Sequence, residues 1–313
     1  MAHQRKPTAL ERHWTARTRR LPTFALASLF VMLALLLLGL LLVARRQVTN
    51  YTSPDGPKFE GAYAFEQPPF DGELKVVTWN IAFAEHIQQA IDDLSDNEEL
   101  QDADILLLQE MDETGTEQIA AALGYDYVYY PASVHSRHGQ NFGNAVLSRW
   151  PIVDSAKIIL PHKNPSNDQI RIATRATIDV EGHRIPVYST HTETFLLGPR
   201  PRKDQIAAIA KEAAMKLAQD SNYAIIGGDF NTITPDSLTA LTTRLEDAGL
   251  AWVSQDAGQT LGVAGLGVAL DHIFASNMSP LAAGVFTGSD ASDHDPVWVI
   301  LALDQLGEES PSS

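Results

Sequence analysis

Four apolar, β-prone runs of this sequence end in side chains that can bind metal or move protons, and two short Asp-His motifs follow them near the C-terminus. Tyr223-Ala224-Ile225-Ile226 runs into Gly227-Gly228 and delivers Asp229, Phe230 and Asn231. A buried strand ending this way lets backbone and ligand approach closely and puts the acid and the amide at its C-terminal edge. On its own the stretch also reads as a Gly-Asp turn capped by asparagine, common after any strand. Its companions decide the matter: Leu74–Trp79 ends in Asn80, Ala103–Gln109 in Glu110, and Pro186–Thr190 in His191. Leu270-Asp271-His272 and Ser292-Asp293-His294-Asp295 follow near the C-terminus. A hard divalent cation such as Mg²⁺ or Mn²⁺ takes one or two protein carboxylates and leaves its remaining positions to water and phosphate. Glu110 and Asp293, with the Asn80 amide beside them, suit that role if the fold brings them together. A zinc site would show clustered His or Cys ligands, and the chain has no cysteine.

These residues need strands to carry them and helices to cover the strands. Ile87, Ala90, Ile91 and Leu94 recur at helical spacing, which predicts an amphipathic helix over residues 86–100. A buried strand over 104–109, a helix around 117–123 and an aromatic strand over 125–130 come next. Gly139–Asn144 reads as a loop leading into a strand at 145–147. Two alternating runs, 170–180 and 183–190, flank Glu181-Gly182 as a hairpin. Residues 202–219 place Ile206, Ile209, Ala210, Ala213 and Leu217 on one helical face.

In order, Val-Thr-Trp-Asn80, Leu-Gln-Glu110, Ser-Thr-His191, Gly-Asp229-Phe-Asn231, Leu-Asp271-His and Ser-Asp293-His294-Asp-Pro-Val resemble the endonuclease/exonuclease/phosphatase superfamily. The group includes deoxyribonuclease I, the AP endonucleases, inositol-polyphosphate 5-phosphatases and neutral sphingomyelinases. The likeness runs from about Leu74 to Leu303 and includes the Gly143-Asn144-Ala-x-Leu-Ser-Arg-x-Pro-Ile152 segment. It implies a four-layer α/β sandwich of two mostly antiparallel or mixed sheets flanked by helices. It also implies that Glu110 is the principal metal ligand, that Asn80 supports the metal or a phosphate oxygen, and that Asp293 sits close by. Phosphoester hydrolysis needs an activated water, stabilised phosphoryl charge and a proton for the leaving group. The resemblance gives Asp229 the water, Asn231 a donor role to the phosphoryl oxygens, and His191 and His294 phosphate binding and acid–base work. Asp271 orients His294; which of Asp229 and His294 is the base stays open. Asn144 and Arg200 complete the expected phosphate-binding set. Arg200, Arg202 and Lys203 just past His191 fit a helix-start charge cluster or a contact to an anionic headgroup equally well.

Charge is unevenly spread. Residues 1–46 hold eight Lys/Arg and one acid, whereas the other 267 residues hold 15 basic and 38 acidic side chains, a net of −23 within a chain total of −16. So acidic a body repels polyphosphate at long range, which disfavours a nucleic-acid partner. Leu21 to Ala44 is an uncharged apolar run of 24 residues, long enough to span a bilayer with some tilt. A cleaved signal peptide is the competing reading, but its apolar region is usually about 7–15 residues. Six basic residues before the run against two after it place the N-terminus in the cytoplasm and the body outside.

The expected organisation is a basic cytoplasmic tail (1–20), a transmembrane helix (21–44), a Pro/Gly-rich linker (45–72), the catalytic domain (73–304) and a flexible tail (305–313). Asp295 and His272 read as structural, and His135, His138, His162 and His183 as solvated loop residues, with His138 within reach of the site. The expected function is a membrane-anchored, divalent-metal-dependent phosphodiesterase acting on a phospholipid or glycolipid headgroup or a small phosphorylated solute. An extracytoplasmic nuclease and a catalytically dead anchored binding protein are the alternatives.

Overall fold

A computed structural model of the chain describes residues 31–35, 48–135, 138–194, 198–263 and 266–304. Residues 1–46 and 47–313 are two separate compact units. Within the first, residues 31–35 are helical and exposed, and the rest of the apolar run 21–44 lies outside the described residues. Among the described residues no helix is long and apolar enough to cross a membrane. The tail at 305–313 also lies outside them.

Among its described residues the second unit threads sixteen strands and four α-helices. The strands are β1 (Thr49–Asn50), β2 (Phe59–Gly61), β3 (Glu73–Asn80), β4 (Ile105–Met111), β5 (Asp126–Val134), β6 (Asn141–Ser148), β7 (Ile152–Lys163) and β8 (Ile170–Val180). They continue with β9 (His183–His191), β10 (Ala224–Asp229), β11 (Ala251–Trp252), β12 (Leu261–Val263), β13 (Leu266–Val268), β14 (Asp271–Ser276), β15 (Met278–Val285) and β16 (Val297–Leu303). The helices are α1 (Ile87–Asp96), α2 (Glu113–Leu123), α3 (Pro199–Gln219) and α4 (Pro235–Glu246). One large sheet runs β1-β5-β6-β4-β3-β16-β15 with β2 also on β5, the other large sheet runs β11-β14-β10-β9-β8-β7, and β12 pairs with β13 as a separate ribbon. Both large sheets are mixed: β3/β4 and β9/β10 pair in parallel and the remaining neighbours antiparallel.

The layers follow from strand alternation. On β4, Ile105 and Leu107 face the space between the sheets, where they meet Ile172, Val187 and Ile225. Leu106 and Leu108 face the other way, onto Ala90 and Leu94 of α1 and Ile119 of α2. Tyr188, Ile226 and Phe274 of the second sheet likewise cover α3 and α4 through Ile206, Ile209 and Leu241. A strand buried on both faces reads as a continuous apolar run, as Ile105-Leu106-Leu107-Leu108 does. Helix, sheet, sheet and helix therefore stack in four layers, each with its own apolar contact.

Two expectations need correcting. The stretch expected as a linker, 45–72, is not all tether: Thr49 and Asn50 pair with Val134 and Ser133, and Phe59–Gly61 pair with Tyr129–Tyr127. Its prolines sit beside edge strands, where a missing N–H costs least. Asn141–Asn144, expected as loop, is the first half of β6, because Gly143 lets the chain lie against the Tyr130 carbonyl where any Cβ would overlap it. The Glu181-Gly182 hairpin has φ of 50° and 93°, the positive pair that a two-residue turn with the sheet's own twist requires.

Edge strand β2 packs Phe59 at a tilt against Tyr129 at 5.9 Å, and just beyond it Tyr63 stacks on Tyr127 at 6.4 Å and donates to Glu117 at 2.6 Å. A fragment spanning 47–304 is therefore expected to melt about 5 °C or more above one spanning 73–304, since two aromatic pairs and their buried area are lost. Equal melting temperatures in a thermal scan would show that the segment contributes nothing to the body.

Candidate active site

Four strands of the two sheets end at one edge, and each brings one of the chemical side chains. Parallel pairing sets Asn80 opposite Gln109 in the first sheet and Asp229 opposite His191 in the second. Antiparallel β14 then places Asp271 opposite Asp229. Gly228, at φ 149°, lets β10 lie against the Thr190 carbonyl, which a Cβ would strike. Glu110 is aimed by a bulge: Leu108 pairs with Ala145 and Met111 with Gly143, so two residues of β4 face one of β6. Its φ of 58° is a left-handed conformation that a side-chain-bearing residue rarely holds without such support.

Below this edge a polar seam joins the sheets. Gln109 Nε2 donates to Ser189 Oγ at 3.0 Å, and Ser189 Oγ donates to the Leu108 carbonyl at 2.8 Å. Asn144 Nδ2 donates to the Ile172 carbonyl at 2.9 Å and the Ser189 carbonyl at 3.3 Å. Asn144 is thus a structural tie between the sheets. Both its N–H donors are already taken, so the phosphate-binding role expected of it is not available. Arg200 is likewise misplaced: its side chain is 88% exposed at the start of α3, and its ion partner there is Asp204 at 3.8 Å.

The remaining residues converge. Asn80 Nδ2 donates to Glu110 Oε1 at 3.3 Å and to Asp229 Oδ2 at 3.2 Å, while its side-chain Oδ1 accepts from Ala82 N at 3.1 Å. Asn80 therefore presents its amino group, not its oxygen, to the two carboxylates. His191 lies between the same two acids, Nδ1 at 3.7 Å from Glu110 and Nε2 at 3.4 Å from Asp229. Asp229 Oδ1 accepts from the backbone N–H of Asn231 at 2.8 Å, which fixes Asn231 at φ 52° with its amide donating to the Thr192 carbonyl. His294 Nδ1 is 2.8 Å from Asp271 Oδ2, and its Nε2 faces Asp229 Oδ2 at 3.9 Å. Asp293 is exposed at the rim, close enough for its charge to act on both Glu110 and His294.

Several positioning residues carry no sequence signal. Thr260 Oγ donates to Asp271 Oδ2 at 2.6 Å and accepts from Leu270 N, pinning the carboxylate that holds His294. Trp79 Nε1 donates to the His294 carbonyl at 2.8 Å, and Ser292 Oγ donates to the Asn80 carbonyl at 2.6 Å, so the Ser-Asp-His loop is stapled to β3. His272 is buried against Phe230, Trp252 and Phe274 and shares a 2.9 Å hydrogen bond with Thr232. His162 pairs with Asp204 at 2.6 Å, and His138 stacks on Phe83 at 4.5 Å.

Burial and charge divide the ionisable groups into roles. Burial pushes the Glu110 carboxyl up, against the pull of Arg171 and the Asn80 hydrogen bond. Burial and the neighbouring Asp271 charge raise Asp229 to about 7. His191 is held well below its ordinary value by burial, with Arg171 and His294 adding to it, so it is neutral. Burial would also lower His294, but the Asp271 charge and hydrogen bond, with Asp229 and Asp293 behind them, raise it to about 10.

Asp229, Asp271 and His294 form one candidate set of metal-ligating atoms, mutually within 4.8 Å. His294 is an imidazolium there with its Nδ1–H already given to Asp271, and a protonated imidazole is no ligand. Glu110 fits a cation better. It is a largely buried carboxylate, 14% exposed, at the mouth of the edge, with Asp293 adding negative charge and no lysine or arginine within ion-pair distance among the described residues.

Residues 77–294 match the family described as Endonuclease/Exonuclease/phosphatase family. A UPF0294 protein of Vibrio campbellii is 30% identical over 248 residues, covering 76% of this chain and 82% of its own. A solved endonuclease/exonuclease/phosphatase from Beutenbergia cavernae has a TM-score of 0.61 at 21% identity, covering 74% of this chain and 72% of that one. The Bacteroides thetaiotaomicron mannosyl-6-phosphatase Bt3783 gives 0.58 at 21% identity over 73% of this chain and 99% of its own. At these identities the two structures are similar in fold alone.

Asp271→Asn removes both the charge and the hydrogen-bond acceptor that keep His294 protonated. The His294 titration, followed by imidazole NMR, is expected to fall from about 10 by more than about one pH unit. Because the folded-state value lies above the ordinary one, the His294 contribution to stability is full below about pH 6.5 and lost as pH rises through about 10. The variant should lack that alkaline loss; an unmoved titration would show that the pair is not electrostatically joined.

Proposed function

The chain belongs to the Endonuclease/Exonuclease/phosphatase family, whose members are phosphoester hydrolases, and on that premise we propose that it is a divalent-metal-dependent phosphodiesterase. The observation that carries this reading is the division of labour at one edge: an acid raised to about 7 with a neutral histidine at 3.4 Å and a protonated histidine at 3.9 Å from the same carboxylate oxygen.

Glu110 would hold Mg²⁺ or Mn²⁺, with Asp293 contributing charge from the rim and Asn80 aligning the carboxylate. A cation bound there supplies neutralisation of the charge that collects on the phosphoryl and leaving oxygens. Asp229 takes the proton of the attacking water; its pKa near 7 suits a general base at neutral pH. His294 is not that base, because it already carries its proton. Its imidazolium, oriented by Asp271 and Thr260, faces the phosphoryl charge instead and gives its Nε2 proton to the leaving oxygen. His191, neutral, and the Asn231 amide donate to the non-bridging oxygens.

Residues 21–44 anchor the enzyme in the bilayer with 1–20 inside and the body outside. An acidic body beside a membrane favours a phospholipid or glycolipid headgroup or a small phosphorylated solute over duplex DNA. The fold it shares with a mannosyl-6-phosphatase is compatible with a sugar-phosphate substrate.

Assays of p-nitrophenyl phosphodiesters, phospholipids, sphingomyelin, inositol phosphates and plasmid DNA with Mg²⁺, Mn²⁺ or EDTA test the reading. Hydrolysis should vanish in EDTA and return with metal. Glu110→Gln should lower the rate by about two orders of magnitude or more, with partial rescue by excess Mn²⁺. Full rate and full metal affinity in Glu110→Gln would refute the assignment. For the anchor, protease added to intact cells should destroy the body and spare residues 1–20, and release of the full chain by carbonate would contradict it.

A further inference from the structure

The chain enters the body at its catalytic edge. β1 is antiparallel to β5, with Thr49 opposite Val134 and Asn50 opposite Ser133, and Tyr51 N donates to the Ala132 carbonyl at 2.9 Å. Residues 48–51 therefore run from the edge inward. On the other side of β5 lies β6, with Asn141 opposite Val134 and Phe142 opposite Ser133. The Phe142 ring centre is 6.1 Å from that of His191. Neighbouring strands are about 4.8 Å apart, so β1 stands two spacings, about 10 Å, from the strand that carries Phe142.

This entry point is strapped to both sheets. Asn50 Nδ2 donates to the Asp168 carbonyl at 2.8 Å, and Asn50 Oδ1 accepts from the backbone N–H of Ile170, the first residue of β8, at 3.0 Å. The Tyr51 hydroxyl donates to Asn141 Oδ1 at 2.9 Å. Lys157 Nζ lies 5.7 Å from the Tyr51 ring centre and donates to the Gly56 carbonyl at 3.0 Å, and Val48 is buried. Hydrogen bonds to specific atoms of two sheets leave the strap no freedom to slide or swing.

Where the chain is fixed decides how far the site can stray from a bilayer. The apolar run ends at Ala44, and only Arg45, Arg46 and Gln47 separate it from Val48. Four Cα steps reach about 14 Å at most. A free tether over 45–72 would have let the body wander by about 30 Å. Arg45 and Arg46 directly follow the apolar run, where cationic side chains meet anionic headgroups. The acidic body is repelled by such a surface, so the strap holds the edge there and charge on the body does not.

We propose that the catalytic edge is a lipid-facing surface: the strap at residues 48–51 keeps it at the bilayer that holds residues 21–44, and the phosphoester it takes belongs to a lipid of the same leaflet. The inference rests on the anchored phosphoester-hydrolase reading and narrows it from headgroup or solute to headgroup.

The chain has no cysteine, so single ones can be placed and labelled with a fluorophore. Gln140→Cys is exposed just before β6 at the catalytic edge, and Asn222→Cys is exposed just before β10 at the opposite end, about 20 Å away along the strands. The full chain is reconstituted in vesicles of phosphatidylethanolamine, phosphatidylglycerol and cardiolipin that include a lipid with a nitroxide on its headgroup. Quenching is expected to be about threefold or more stronger at 140 than at 222, because the short reach keeps one end near the headgroups. A Gly/Ser spacer of about twenty residues between Arg46 and Gln47 should abolish that difference. The spacer should also slow hydrolysis of the vesicle's own lipids about 10-fold while leaving bis(p-nitrophenyl) phosphate within about twofold of wild type. Equal quenching at the two positions, or stronger quenching at 222, overturns the proposal. So does turnover of the soluble ester with no turnover of any lipid in the vesicle, and so does a spacer that changes neither quenching nor lipid hydrolysis. In each of these cases hydrolysis of the soluble ester leaves the hydrolase reading standing. A chain that quenches as expected but hydrolyses neither ester nor lipid with Mg²⁺ or Mn²⁺ overturns that reading, while the edge remains lipid-facing.

Discussion

The Asn80 amide donates at once to Glu110 of its own sheet and to Asp229 of the other, and the rest of the edge is built so that it can. Two buried carboxylates repel each other unless a donor or cation lies between them. Asn80 supplies the donor and His191, in contact with both acids, fills the remaining gap. That contact requires the two sheets to end level, which the seam of Gln109, Ser189 and Asn144 enforces a few residues below. Apolar packing alone tolerates sliding between sheets, whereas hydrogen bonds to specific carbonyls do not.

The electrostatics of the edge follow from what each acid has beside it. Asp271 is engaged through Oδ2, by Thr260 and His294, and keeps His294 a cation at neutral pH. Asp229 faces that cation at 3.9 Å without touching it, which leaves its proton exchangeable near neutrality. Glu110 has only an amide and a neutral ring in contact, together with the distant charge of Arg171. One acid is paired, one is poised and one has no cationic side chain in contact among the described residues, and the same local chemistry would be lost if the three exchanged neighbours.

Much of this was legible in the sequence because strand periodicity and terminal polar residues coincide. Asn80, Glu110, His191 and Asp229 lie at the C-terminal ends of buried runs, Asp271 opens one, and these strand ends do meet. What escaped did so for physical reasons. Asn144 follows a glycine, which reads as loop, but Gly143 is there for close approach within a sheet. Arg171 sits in an alternating strand where a polar residue ordinarily marks the solvent face, and only the packing of Phe142 and Glu193 shows that it is enclosed. Arg200 looked close to His191 in sequence, yet α3 begins between them and carries it outward. Proline and glycine in residues 45–72 suggested a tether, and edge strands tolerate both. Thr260 lies in a stretch with no periodicity, so its hold on Asp271 had no pattern to announce it.

The central claim is that Glu110, and not the Asp229–Asp271–His294 cluster, receives the metal. Anomalous diffraction from crystals grown with Mn²⁺ tests it most directly. The account predicts a single strong peak within about 2.0–2.3 Å of a Glu110 carboxylate oxygen, with Asp271 and His294 still hydrogen-bonded to each other. A peak coordinated by the His294 imidazole, with its bond to Asp271 broken, would contradict it.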